Sequence, residues 1–149
     1  MGFELPDGRA AAKVIKELAY ATMSSWSEDV TVRLRRHPTL ISISFRAQNG
    51  DDVAKFTLAQ QANCNGSLAS IDTHVYEAYR GRGIAQELQI LKECIAKEFG
   101  YSSLVATVNL STEAEVHILE KTGWTKGWEF TNTRYNISNK VAYYFKEIR

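Results

Sequence analysis

Between residues 30 and 76 the chain reads as four strands with only a short break between one and the next, and the first two fall into a clear period of two. Val30, Val32 and Leu34 alternate with Thr31, Arg33 and Arg35 as far as His37-Pro38. Leu40, Ser42 and Ser44 then alternate with Ile41, Ile43 and Phe45. Alternation sends successive side chains to opposite faces, as in a strand with one face on a core. Asn49-Gly50 marks a hairpin turn, because both residues accept positive φ. Residues 52–59 return as a third strand, and the polar stretch 60–66 leads to a fourth over residues 67–76. Connections this short join antiparallel neighbours, so this part of the chain is committed to a meander.

The rest of the chain alternates helix and strand. Asp7 can cap a helix running to about residue 23, with Val14, Ile15, Leu18, Ala19 and Ala21 on one stripe. From residue 83 to about 99, Ile84, Leu88, Leu91, Ile95 and Phe99 form another stripe, and Gly100 closes it. Residues 103–108 read as a short buried strand. Thr112-Glu113-Ala114-Glu115 reads as a capping box opening a helix with Val116, Ile118 and Leu119 inward, ended by Thr122-Gly123-Trp124. Strands over 125–131 and 141–148 finish the chain. The order predicts a single α+β domain over residues 1–149. Its core is a mixed, mostly antiparallel central sheet of about seven strands flanked by helices.

Several functions are disfavoured at once. A hydrophobic fraction of 44% and a net charge of +1 suit an ordinary globular protein, with no wholesale nucleic-acid binding expected. No apolar run approaches membrane-spanning length, and the first residues lack a secretory pattern, so a cytoplasmic protein away from membranes is expected. Cys64 and Cys94 read as reduced thiols. His37, His74 and His117 are scattered, and no bound metal is expected.

Arg80-Gly-Arg-Gly83-Ile-Ala85 stands at the mouth of the second helix. A helix N-terminus carries about half a positive charge and several unpaired N–H groups. Gly81 and Gly83 leave those groups approachable, Ala85 keeps the first turn small, and Arg80 and Arg82 add charge. The stretch can cradle a pyrophosphate. It is not a Walker loop, and one Gly-x-Gly is not the dinucleotide fingerprint. A glycine-eased turn with solvated arginines accounts for the same residues.

In its surroundings the motif resembles the R/Q-x-x-G-x-G/A signature of the GCN5-related N-acetyltransferase superfamily. Val75 stands where that family has the valine ending its fourth strand, and residues 105–124, ending in ILEKTGW, resemble its second motif. The likeness covers about residue 40 to the C-terminus. It implies that the fourth and fifth strands splay apart around the pantetheine arm of acetyl-CoA. Backbone groups of Val75 and Tyr76 would then meet the pantetheine amides, N–H groups from Gly81 through Arg82, Gly83 and Ile84 to Ala85 would hold the pyrophosphate, and Asn109, Ser111 or Thr112 would touch the distal arm. The tail RYNISNKVAYY also resembles the ends of small acetyltransferases of tailed phages.

Two positions depart from the family pattern. Leu119 occupies the place where many relatives have a tyrosine that protonates the departing sulfur, so that general acid is missing. Only His37-Pro38 separates the first two strands, where relatives place helices that wall the acceptor site. The N-terminal helix, or a second subunit in a homodimer, must build that wall instead. Asp72 and His74, sharing the polar face of the fourth strand with Ser70 and Tyr76, can relay a proton through water. Tyr135, in the last loop, is a further candidate for the acceptor site. The implied activity is transfer of acetyl from acetyl-CoA to a primary amine of a protein or small molecule, by direct attack. The alternative is a non-catalytic acyl-CoA-binding or protein-interaction module on the same fold.

Overall fold

The computed structural model describes residues 9–23, 26, 30–37, 39–133 and 138–148. Asp7 and Tyr135 therefore lie outside the described residues. Seven strands form one sheet: β1 (Val30–His37), β2 (Leu40–Ala47), β3 (Asp52–Gln60), β4 (Ser67–Val75), β5 (Ser103–Asn109), β6 (Thr125–Asn132) and β7 (Asn139–Glu147). Their order across the sheet is β1-β2-β3-β4-β5-β7-β6. Every pairing is antiparallel except that of β4 with β5. Parallel neighbours need a long crossover, and α2 (Ile84–Glu98) provides it. It touches both α1 (Arg9–Thr22) and α3 (Glu113–Lys121), so the three helices form one layer.

The core lies between that layer and the sheet. Ile15 and Ala19 of α1 and Leu88, Leu91 and Ile95 of α2 join Ile43, Phe45, Leu58, Leu68, Leu104 and Tyr144 in one buried cluster. On β7 the buried Ala142 and Tyr144 alternate with the exposed Tyr143 and Phe145. The outer face there carries Trp128, stacked on Tyr143 with ring centroids 5.9 Å apart.

Two local expectations are corrected. At the β2–β3 hairpin only Gly50 takes a positive φ, of 90°. Asn49 acts through its side chain, accepting from the Asp51 N–H at 2.9 Å, so the loop is longer than a two-residue turn. Ala47 and Asp51 close it, and the register shifts at Phe45/Arg46. At the start of α3 there is no capping box, because the Thr112 side chain makes no cap bond. A turn pre-empts it: the Thr112 N–H donates to the Asn109 carbonyl at 3.0 Å, and Asn109 Oδ1 fixes the turn by accepting from the Ser111 N–H at 3.0 Å and from its hydroxyl at 2.8 Å. Glu113 and Glu115 still complement the helix dipole.

Leu104 is wholly buried on β5 at the centre of the sheet. Leu104→Ala is expected to cost about 2–5 kcal/mol in chemical denaturation, the range for a leucine whose cavity cannot collapse.

Candidate active site

The site begins where two strands part. β4 and β5 pair at Ser67↔Ser103, Leu68↔Leu104 and Ala69↔Val105 and no further. Yet β4 runs on to Val75 and β5 to Asn109. An extra residue in β4 accompanies the break. Lys55 pairs with His74 while Thr57 pairs with Ile71, so Phe56 faces two residues of β4. Asp72 absorbs this bulge with a φ of 53°, rare for a residue with a Cβ.

The bulge overturns simple alternation along β4. Thr73 does not continue the face of Ile71, which is exposed; it joins the buried Ser70, with the two hydroxyl oxygens 3.5 Å apart. Asp72 and His74 still line one open recess, with Lys55, Thr73 and Tyr76. They arrive there through the bulge, not through a shared strand face. The His74 and Tyr76 rings meet edge to face, 4.7 Å between centroids.

Beyond β4 the chain makes a single 3-10 turn over Glu77–Tyr79 and enters α2. Both arginines fold back onto this turn. Arg80 Nε donates to the Val75 carbonyl at 2.9 Å. Arg82 donates to the Ala78 carbonyl at 3.4 Å, its guanidinium 5.1 Å from the centroid of the Tyr79 ring. Gly83 is the N-cap residue of α2, with φ 80° and no side-chain cap. A Cβ at Gly81 or Gly83 would meet nothing within 4 Å. The glycines are therefore required by the left-handed backbone, which costs other residues about 1–2 kcal/mol. The space beside them stays open toward the first N–H groups of α2.

That space belongs to a cavity of about 540 Å³ reaching from the helix N-terminus along the end of β4 to the first turns of α3. Val75, Arg80, Gly81, Gly83, Ile84 and Ala85 line it, as does Thr112. Arg82, Asn109 and Ser111 stand outside its wall. Tyr76 lines the neighbouring recess, and its N–H is committed to the Val53 carbonyl at 3.0 Å.

Sequence reasoning missed the most unusual residue here. Lys92 of α2 is 1% exposed. Its Nζ donates to Thr73 Oγ1 at 2.6 Å and to Gln89 Oε1 at 3.4 Å, and lies 5.3 Å from the centroid of the Phe56 ring. Desolvation lowers its pKa to about 7, against the opposing pull of Glu115. Burial in turn raises the Glu115 carboxyl, with Lys92 pulling it back. A polar cavity of about 270 Å³ surrounds the pair, lined also by Asp72, Thr107 and Leu119. It shares Thr73, Gln89 and Glu115 with the larger cavity. The signal was present in the sequence: Gln89 and Lys92 interrupt the stripe of Leu88, Leu91 and Ile95. Leu119 is buried, as its place on the α3 stripe implies, yet it also borders this polar space. Lys146 of β7 ties the region from behind, pairing with Glu93 of α2 at 2.8 Å and donating to the Thr122 carbonyl after α3.

No family model and no curated protein matches the sequence. Solved structures match the fold closely. A candidate phosphinothricin N-acetyltransferase superposes with a TM-score of 0.69 at 16% identity, covering 81% of this chain and 99% of its own. A nourseothricin acetyltransferase gives 0.65 at 18%, covering 82% and 86%. A Bacillus subtilis acetyltransferase in complex with CoA gives 0.66 at 9%, covering 81% and 100%. The chain thus has the fold of the GCN5-related N-acetyltransferases. The likeness of its tail to phage-encoded members gains no support from these matches.

Burial of Lys92 carries a pH signature. Its folded pKa lies below the unfolded 10.5, so between about 7 and 10.5 the unfolded chain binds more protons and stability rises with pH. The slope from this group is at most ~1.4 kcal/mol per pH unit. Lys92→Met removes it. The variant should therefore be more stable than wild type near pH 7, with the advantage shrinking as pH approaches 10, as read by denaturant melts across that range.

Proposed function

We propose that this chain transfers an acetyl group from acetyl-CoA to a primary amine by direct attack on the thioester. The observation that carries the reading is the cavity at the open N-terminus of α2, which runs along the end of β4 and shares Thr73, Gln89 and Glu115 with the polar space between the parted strands. A pyrophosphate suits the first, and a slender amide-bearing arm suits the second. When bound, acetyl-CoA supplies an activated acyl carbon and a thiol leaving group.

The roles of the chain's own residues follow. N–H groups from Gly81 to Ala85 hold the diphosphate, and the side chains of Arg80 and Arg82 mainly brace the turn. Main-chain N–H groups near Val75 stabilise negative charge developing on the thioester oxygen. The attacking amine must be neutral, and an ordinary alkylamine has a pKa of about 10.4. Asp72 and His74, side by side in the recess next to the gap, take up its proton through water. Of the two ways to wall the acceptor side, α1 is the one this chain supplies, packed against α2 and β1. Cys64 and Cys94 line neither the recess nor the cavity, which suits direct attack. The non-catalytic alternative predicts binding without turnover.

Acetyl-CoA at a hundredfold excess over Kd is expected to stabilise the protein by about 2.7 kcal/mol, read as a rise in Tm. Gly83→Val should abolish that rise, since a branched residue cannot hold the left-handed N-cap and would fill the anion's place. Arg82→Ala should keep most of it. A reversal of that order would mean that side-chain charge, not the main chain, makes the site.

The proton path gives a separate test with a polyamine or lysine-rich peptide as acceptor. Asp72→Asn and His74→Ala should lower kcat by up to ~10²–10⁴, with much smaller effects on acetyl-CoA binding by calorimetry. Turnover within about threefold of wild type in both, against that range, would leave the recess without a catalytic part.

A further inference from the structure

Thr73 stands at a junction. It lines the long cavity, the recess of Asp72 and His74, and the polar cavity around Lys92. Its hydroxyl oxygen accepts a hydrogen bond from Lys92 Nζ at 2.6 Å. A hydroxyl that accepts in this way keeps its own O–H to donate. Ser70 Oγ, at 3.5 Å, is at the outer limit of a hydrogen bond and holds that proton weakly. A buried cation thus pushes toward the gap between β4 and β5 through a single hydroxyl.

We infer that Lys92, acting through the hydroxyl of Thr73, supplies the proton taken up by the sulfur that leaves the thioester. The inference rests on the acetyl transfer proposed above and assigns its missing acid. As the amine nitrogen bonds to the acyl carbon, the carbon–sulfur bond breaks and its electron pair passes to sulfur. Sulfur takes the Thr73 proton, and Thr73 takes one from Lys92, which is left as a neutral amine. The proton lost by the acceptor amine goes to water beside Asp72 and His74. Thr73 touches the departing atom, and Lys92 is a positioning and proton-supplying residue behind it.

The surroundings fit this duty. Burial brings the lysine toward neutrality, so it can release a proton near physiological pH where an exposed lysine holds it tightly. Glu115 of α3 and Asp72 of β4 are the titratable groups facing its cavity. Phe56 of β3 and Ala106 and Thr107 of β5 add none. Glu115 borders both cavities and can return a proton to Lys92 from the groove. Leu119 lines the same space and has no proton to give.

The test uses CoA itself and needs no acceptor. Ionisation of the bound thiol is followed by thiolate ultraviolet absorbance against pH, and binding is checked independently by thermal shift. In wild type the bound thiol should ionise about one pH unit or more below its value in Lys92→Met, Lys92→Gln and Thr73→Val, a tenfold difference in acidity. Thr73→Ser should keep the wild-type value, because it keeps the hydroxyl. CoA bound equally by wild type and Lys92→Met with the same thiol pKa would overturn the inference and leave acetyl transfer standing. If CoA gives no thermal shift with wild type, the transfer reading itself fails and takes this inference with it.

Discussion

The site exists because β4 and β5 stop pairing after Ala69↔Val105. A strand edge inside a sheet cannot simply be left bare, since buried main-chain groups need partners. Here the edge is managed in pieces. Arg80 takes the carbonyl of Val75, Thr73 turns its hydroxyl toward Lys92, and the Asp72 bulge removes the regular ladder between them. What remains open is a slot with main-chain groups on both sides. Helices α2 and α3 sit beside it, and Lys146 fixes them to β7 through Glu93 and Thr122.

The turn before α2 shows how differently charge and geometry contribute. Arg80 and Arg82 are the residues that catch the eye in the sequence, yet the structure uses them as internal braces. Gly81 and Gly83 contribute no group at all, and they set the direction from which the helix N-terminus can be approached. An anion site placed in the main chain, as proposed for this turn, would be insensitive to pH and slow to be lost by surface mutation.

Much of the fold was legible because it rests on periodicity. Val30 to Leu34 and Leu40 to Phe45 announce strands by alternation, and Ile84, Leu88, Leu91 and Ile95 announce α2 by its stripe. Arg80, Gly81, Gly83, Ile84 and Ala85, which line the cavity, were legible because glycines at a helix start leave its N–H groups approachable, although a plain turn accounts for the same residues. The bulge at Asp72 was not legible, since nothing local marks it; it shows only in the pairing, where Phe56 of β3 faces two residues of β4. The same blind spot moved Thr73 to the wrong face. Thr112 was misread because its N–H, which a box would offer to Glu115, already donates to the Asn109 carbonyl, a commitment that motif matching does not weigh. Gln89 and Lys92 were passed over because lysines in helices are usually solvated, and only the sheet packed beneath them makes these two exceptional.

The sealed position of Lys92 bears on how this chain would respond to selection. A residue expected to weaken the fold at neutral pH would persist only if something other than folding keeps it. Screened for heat resistance alone, variants of this protein should discard that amine early, gaining robustness and looking like successes. The population that survives such a screen would be a record of which residues the fold itself does not want.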